Sequence, residues 1–356
     1  MRGGGEDRLL AWLRRRLPVG SPLGETDTSL RSLIGDDAAV LPAGGPFAVT
    51  VDSQIAGVHF VPDLAPAQIA ARLLAVNLSD LAAMGALPAY AFLALTAAPD
   101  FDHRRFFRGL LAACARHRLL LAGGDLSRGA GETLVATLTL LGRKRRGARW
   151  LRRAGAAPGH DLWLGGTVGE SAAGRLLVGA GARIASGRVR LPAVWEEGER
   201  ERGPEARLPL AAAARRAVRR HLLPRPQLEL GQWLARQPAG AAIDVSDGLA
   251  LDLHRLCGES GVGARVEAGR LPLAARFPEL CAALGTGAER LALGGGEDYV
   301  LLFTLPAGLE PPARFACRRI GAITAGRRLT IGARGKTRRL PPDGWDHLDK
   351  KRNPGG

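Results

Sequence analysis

The placement of its aspartates constrains this chain most. Asp36 and Asp37 close SLIGDD, Asp52 closes FAVTVD, and Asp80 lies in NLSDLAAMGA. Asp125 follows the apolar run of LLLAGGDLS, and Asp244 and Asp247 sit in AAIDVSDGL. Apolar strands ending in aspartate bring hard oxygen donors to one rim of a sheet. Hard oxygens suit Mg2+, which binds through carboxylates together with substrate phosphates. So many carboxylates at one place call for several cations and a strongly anionic ligand, and a nucleoside triphosphate meets that description.

A chain of 356 residues has room for two ordinary domains. Its formal charge of +16 and pI near 11.1 first suggest nucleic acid. Lysine, however, occurs only at Lys144, Lys336, Lys350 and Lys351, so the excess is almost all arginine. An Arg-, Ala- and Gly-rich chain poor in Lys reads as compositional bias. The clusters RKRRGARWLRR and AARRAVRRHLLPR read as solvated faces rather than a polyanion-binding surface, since Trp150 is the one aromatic in them that could stack on a base. No specific nucleic acid partner is therefore expected. Cys114, Cys257, Cys281 and Cys317 form no CxxC pair and fit a reducing compartment. The N-terminus has no secretory h-region and suggests a short amphipathic helix through Leu9, Leu10 and Leu13. The uncharged run 81–98 is interrupted by Gly85 and Pro88 and reads as helix, turn and buried strand. A soluble cytoplasmic protein with no membrane partner is the expectation.

Periodicity predicts strands at 47–51, 89–96, 119–122 and 133–141, with helices at 65–84 and 101–118. Further strands are expected at 162–165, 241–245, 290–292, 299–304 and 315–323, and helices at 209–222 and from Gly248 onward. The charged stretch 196–207 reads as a surface loop, and the last residues as a frayed tail. The alternation implies an α/β layer structure.

Several motifs admit two readings. Asp52 with His59 is either a polar strand–turn or a metal ligand with a phosphate contact. Asn77 and Asp80 share a helix face and are either a hydrogen-bonded core pair or part of a ligand set. Gly123-Gly124-Asp125 is either a plain turn or a backbone that approaches a phosphate. Asp247 or Ser246 can cap the following helix, whose N-terminus favours phosphate, but capping leaves Asp244 unexplained. Gly294-Gly295-Gly296-Glu297 is either a flexible loop or a ligand-wrapping backbone with Glu297 as the recognition group. Gly332-Ala333-Arg334-Gly335-Lys336-Thr337 ends in GKT but is too short for a P-loop.

Taken in order, IGDDAAVL, TVDSQIAGVHF, AVNLSDLAAMGALP, AGGDLSRG, RHLLPRP, IDVSDGLALDL, GGGEDYVLLFT and GWDHL resemble the thiamine-monophosphate kinase family across about residues 30–348. That family belongs to the aminoimidazole ribonucleotide synthase-like superfamily, which binds ATP on a fold unrelated to P-loops. The resemblance implies a two-domain α/β (α+β) protein. An N-terminal metal/ATP-binding and dimerisation domain would span 1–150, a C-terminal α/β domain 151–345, and a tail 346–356. The N-terminal sheets of two subunits would pair into a dimeric barrel. By matching motifs, Asp37, Thr50, Asp52, Asp80, Asp125, Asp244 and Asp247 fall on metal positions. Gly124, Asp125, Arg153 and Ser246 fall on nucleotide positions, with Arg149 and Arg152 competing for the role of Arg153. His59, Glu297 and Trp345 fall on substrate positions. The implied partners are thiamine monophosphate and ATP, with several Mg2+ ions and a homodimer. The implied activity is direct transfer of the ATP γ-phosphoryl group to the phosphate of thiamine monophosphate, with no catalytic base assigned. Val51 departs from the family's usual Ser or Thr before the aspartate. A purine-pathway or selenophosphate-type synthase of the same superfamily is the alternative, disfavoured by TVDSQIAGVHF, by GWDHL and by a first cysteine only at Cys114.

Overall fold

The structure, a computed structural model, describes residues 39–42, 46–193, 195, 204–238, 240–333, 335–346 and 348. The expected N-terminal helix, Asp36, Asp37 and most of the 196–207 stretch lie outside the described residues. Two sheets organise the chain.

The first sheet contains β1 (Ala39–Pro42), β2 (Pro46–Ile55), β3 (Leu87–Ala97), β4 (Leu120–Arg128) and β5 (Leu134–Arg143), in the order β1-β2-β5-β3-β4. Side chains alternate across it, as a pleated strand requires. Ala91, Leu93 and Leu95 of β3 and Ala136, Leu138 and Leu140 of β5 are buried on one face. That face is covered by α1 (Pro66–Ala83), which opens on a proline and is almost wholly buried. Against α1 packs α2 (His103–Arg116), capped by Asp102, whose carboxylate accepts the Arg105 N–H at 2.9 Å. The opposite face of the sheet is open, with Val51 60% and Phe92 40% exposed.

The second sheet has seven strands in the order β14-β13-β10-β12-β6-β11-β9. They are β6 (Asp161–Leu164), β9 (Ala242–Asp244), β10 (Gly263–Glu267), β11 (Leu301–Leu305), β12 (Arg318–Thr324), β13 (Leu329–Ala333) and β14 (Lys336–Arg339). Only the β10–β13 pairing within it is parallel. A small hairpin joins β7 (Arg183–Ala185) to β8 (Arg188–Arg190). The remaining helices are α3 (Glu170–Gly179), α4 (Pro204–Leu222), α5 (Leu228–Leu234), α6 (Leu249–Ser260), α7 (Phe277–Ala283) and α8 (Ala288–Gly294). Leu249, Leu253 and Leu256 of α6 pack in one apolar cluster with Ile243, Leu302 and Ile323 of the sheet.

The sheets are joined through α1. Its last turn, Ala82 and Ala83, shares a cluster with Leu234 of α5 and Phe303 of β11. Gly231 of α5 lies so close to the Ala82 carbonyl that any Cβ there would collide with backbone. One helix thus faces the first sheet on one side and the second half of the chain on the other.

Three local expectations need correction. Arg290–Ala292 is not a strand but part of α8, where AERLALG is a run of helix formers after a glycine. The expected loop at 196–207 gives way to helix at Pro204, a residue favoured in the first turn. Gly123-Gly124-Asp125 lies inside β4 rather than in a turn, because parallel pairing with β3 carries the strand on to Arg128. Among the described residues, no helix is long and apolar enough to cross a membrane. The four cysteines are free thiols, and burial pushes them up to about 11 (Cys114, Cys281) and about 12 (Cys257, Cys317), so they are poor nucleophiles at neutral pH. The GKT sequence begins a hairpin strand at Lys336 and opens no helix.

Candidate functional site

The site is built around the segment that leaves β9. The strand ends at Asp244, and each of the next residues makes a different connection. Asp244, 2% exposed, accepts a hydrogen bond from Ser79 Oγ at 2.6 Å. Val245 pairs its backbone with Val300 and Tyr299. The Ser246 carbonyl accepts the Glu297 N–H at 2.6 Å, and the Asp247 carbonyl accepts the Trp345 N–H at 2.8 Å. Three separate parts of the sequence, at Ser79, Glu297–Val300 and Trp345, therefore meet at Asp244–Asp247.

The first sheet supplies the opposite wall. Thr50, Asp52 and Gln54 alternate with Val51 and Ser53 and face α1. Thr50 Oγ1 donates to Asp80 Oδ2 at 2.5 Å, and Gln54 Oε1 accepts from Arg72 of the same helix at 3.1 Å. Asp52 stands between these two contacts, with one oxygen accepting the Ser53 N–H at 2.8 Å. Because Ser79 and Asp80 are consecutive, the Thr50–Asp80 and Ser79–Asp244 bonds draw the carboxylates of the two halves together. Burial pushes the Tyr299 hydroxyl well above its ordinary value. Glu297 pushes it the same way, Arg72 opposes, and Asp52 and Asp244 add to the rise. One tyrosine thus feels carboxylates from β2, from β9 and from its own loop.

Asp247 does not cap α6. The helix begins at Leu249, and Asp252 in its first turn reaches back to accept the Asp247 and Gly248 N–H groups, each at 3.1 Å. Asp247 instead pairs with Arg255, which also contacts Asp252 at 3.0 Å. Burial pushes the Asp252 carboxyl up to about 7, with Arg255 opposing, Asp247 reinforcing and Arg153 opposing. Arg153 therefore belongs to this charge cluster. Arg149 does not, since its guanidinium donates to the carbonyls of Gln237, Pro238 and Gly240.

His59 follows β2 in a short turn. Its Nδ1 accepts the Ile55 N–H at 3.1 Å, so in the neutral ring the proton sits on Nε2. An Nε2–H donor suits a phosphate oxygen. Glu297 has a left-handed backbone, with φ 60°. Burial works to raise its carboxyl, but Arg72 and His221 beside it hold it well below the usual carboxylate range. Burial lowers His221, which pairs with Glu297 at 3.3 Å.

Asp125 stands apart. Sheet register aligns Asp52 with Leu138, Leu93 and Gly124, and Ser53 with Thr137, Ala94 and Asp125. Asp125 thus shares the open face of the sheet with Val51 and Phe92, whereas Asp52 and Thr50 share the covered face. Three strand spacings, roughly 14 Å, separate its strand from β2. Within one chain it does not join the other carboxylates, and the expectation of a single cleft fails for this residue. Its carboxylate accepts from Ser127 Oγ at 2.7 Å.

The hydroxyl and carboxylate donors around Thr50, Asp80 and Asp244 have the chemistry Mg2+ prefers. Among the described residues, no three acidic, histidine or cysteine side chains gather closely enough to hold an ion unaided. Phosphate oxygens would complete the shell, which is the usual arrangement for Mg2+.

Sequence reading missed Arg72, His221, Asp252 and Asp298. Arg72 left a signal: a lone arginine in the apolar helix IAARLLAVNL must be paired if buried. Asp252 left a weak one in its i,i+3 spacing from Arg255, whereas His221 and Asp298 left none, because their partners lie on other elements.

Residues 35–143 match the family AIR synthase related protein, N-terminal domain. The thiamine-monophosphate kinase of Salmonella typhimurium is 41% identical over 279 residues, which is 77% of this chain and 76% of that protein. The solved complex of AaThiL with AMPPCP and TMP superposes with a TM-score of 0.75 at 27% identity, covering 98% of this chain and 99% of that one. The crystal structure of thiamine-monophosphate kinase from Stenotrophomonas maltophilia gives a TM-score of 0.66 at 32% identity, covering 93% and 96%. With its shared fold and relatives at this identity over three quarters of its length, the chain belongs to the thiamine-monophosphate kinase family.

Proposed function

We propose that this protein transfers the γ-phosphoryl group of ATP directly to the phosphate of thiamine monophosphate, giving thiamine diphosphate and ADP. The observation that carries this reading is the meeting of Asp80, Asp244, Asp247, Glu297 and Trp345 around one strand end, through contacts from both halves of the chain. Residues 1–150 would act as the metal-binding and dimerisation domain, 151–345 as the second domain and 346–356 as a tail, all in the cytoplasm.

The acceptor is already an anionic phosphate oxygen, so no strong general base is needed. The obstacle is repulsion between two phosphorylated molecules, and positioning with charge neutralisation is what remains for the protein to supply. Thr50, Asp52, Asp80, Asp244 and Asp247, with Asp37 from outside the described residues, would hold Mg2+ ions. Bound there, Mg2+ would neutralise phosphate charge and align the reacting oxygens. Ser246 and Arg153 would contact the nucleotide. The Nε2–H of His59 would donate to the substrate phosphate, Trp345 would cover a ring and stabilise its cation through the π face, and Glu297 would meet the thiazolium or the pyrimidine amine.

Gly124 and Asp125 enter this reading through a second copy of the chain. The open face that carries Asp125 also carries Val51, Phe92 and Leu120, an apolar surface on a sheet. Pairing two such faces would bury it and make the protein a homodimer, in which Asp125, on the edge strand β4, would reach round the rim of the partner's sheet toward its site.

The decisive experiment incubates the full chain with Mg-ATP and thiamine monophosphate and separates products by chromatography. Thiamine diphosphate, formed in step with ADP, is expected. ADP release without a phosphorylated thiamine product would end the proposal.

A further inference from the structure

Arg72 is completely buried, yet it carries a full positive charge in the middle of α1. All of its nitrogens are engaged by other elements. Nε donates to Gln54 Oε1 of β2 at 3.1 Å, Nη1 to the carbonyl of His221 at the end of α4, and Nη2 to Glu297 Oε1. A planar guanidinium presents its donors in a fixed fork, so three anchors on three elements leave it one orientation. The partner it orients is Glu297, whose second oxygen lies 3.3 Å from His221 Nδ1. The Glu297 backbone is tied to the Ser246 carbonyl, so this side chain is pinned at both ends. With 21% of that side chain still exposed, a ligand can reach it.

We propose that Arg72 is a positioning residue for substrate recognition: without touching the substrate, it fixes where Glu297 presents its carboxylate to the substrate's cationic part. The inference rests on the reading in which Glu297 meets thiamine monophosphate. Arg72 and Glu297 come from opposite halves of the chain, so the brace also sets the substrate against the carboxylates beside α1. Arginine is required here because lysine supplies the charge without the fork. A carboxylate misplaced by about 1 Å can cost on the order of a hundredfold in rate.

The test measures kcat and both KM values for the wild type, Arg72→Lys, Glu297→Gln and the double variant, with circular dichroism to verify folding. Arg72→Lys is expected to raise KM for thiamine monophosphate about tenfold and leave KM for ATP near the wild-type value. Glu297→Gln is expected to raise the same KM at least as much, and the double variant to be no worse than Glu297→Gln alone, since one residue acts through the other. Full additivity in the double variant, or both KM values rising together, would overturn the inference and leave Arg72 a structural tie. An unchanged KM in Glu297→Gln would instead remove the substrate role of Glu297 itself. Should Arg72→Lys not fold, Gln54→Glu offers the guanidinium a competing carboxylate while keeping the buried charge paired. The same selective rise in KM for thiamine monophosphate is expected of it, and an unchanged value would refute the brace.

Discussion

The two faces of the first sheet hold aspartates that behave in opposite ways. On the covered face, Thr50 bonds to Asp80 and the neighbouring Ser79 bonds to Asp244, so the carboxylates are fixed within one chain and tied to the second sheet. On the open face, Asp125 stands on an exposed edge strand among apolar side chains, and its carboxylate accepts from Ser127 Oγ two residues along the same strand. Both kinds of aspartate follow apolar runs in the sequence. The difference teaches that a strand carboxylate is part of a preorganised site only when its face is covered by an element bearing complementary groups. Otherwise it waits for another molecule.

The sharpest way to break this contrast is to neutralise one aspartate of each kind. Asp80→Asn should lower turnover by about two to four orders of magnitude with the fold intact, since it removes charge from the place where the phosphates are proposed to meet. Asp125→Asn should also impair turnover as a pure variant. Mixing the two variants under conditions that exchange subunits should restore part of the activity, because each mixed dimer contains one site with both aspartates. If mixing restores nothing, Asp125 does not serve the site of a second copy.

A second prediction addresses the open face directly. Val51→Lys puts a charge at the centre of the proposed pairing surface, at a position already 60% exposed in the single chain. Analytical ultracentrifugation should show a shift from dimer to monomer, with circular dichroism unchanged. A variant that stays dimeric would move the interface elsewhere.

The smallest expected effect concerns Asp298, buried behind the covered site. Its carboxylate accepts the Gly169 N–H at 2.7 Å and the Ser171 N–H at 3.3 Å, at the start of α3. Burial pushes this carboxyl up to about 7. Below the ordinary carboxylate range it is protonated in both folded and unfolded chains, and its contribution to stability is fully present. As pH rises toward 7 the unfolded chain loses the proton first, so that contribution declines. Melting temperatures measured from pH 4 to 8 should therefore fall less steeply with rising pH in Asp298→Asn than in the wild type. Parallel slopes would show that Asp298 titrates normally.

The strands and helices bearing Asp52, Asp80 and Asp244 were legible because apolar period depends only on nearby residues, but β2 does not close at Asp52 as expected and runs on to Ile55, carried by its pairing with β5. The bond from Ser79, beside Asp80, to Asp244 was not legible, since it depends on a helix residue facing a strand 165 positions away. The face of Asp125 was hidden for a related reason. A register shift in the β3–β4 pairing, between Ala91 and Phe92, sets which side of the sheet the later residues of β4 occupy. The role of Asp252 escaped notice because Asp247 looked like the natural cap, whereas the backbone turn at Gly248, with φ 132°, turns the Asp247 and Gly248 N–H groups to Asp252.

The loop that presents Glu297 has a consequence for anyone evolving this protein. Glu297 and Tyr299 both adopt left-handed backbone conformations, with φ of 60° and 49°, a geometry that costs a side-chain-bearing residue about 1–2 kcal/mol each. Glycine would relieve that strain, but at position 297 it would leave the buried Arg72 without its carboxylate, and at 299 it would empty a buried site, so the relief costs more stability than it returns. Searches for thermostable descendants should therefore hold these two codons fixed.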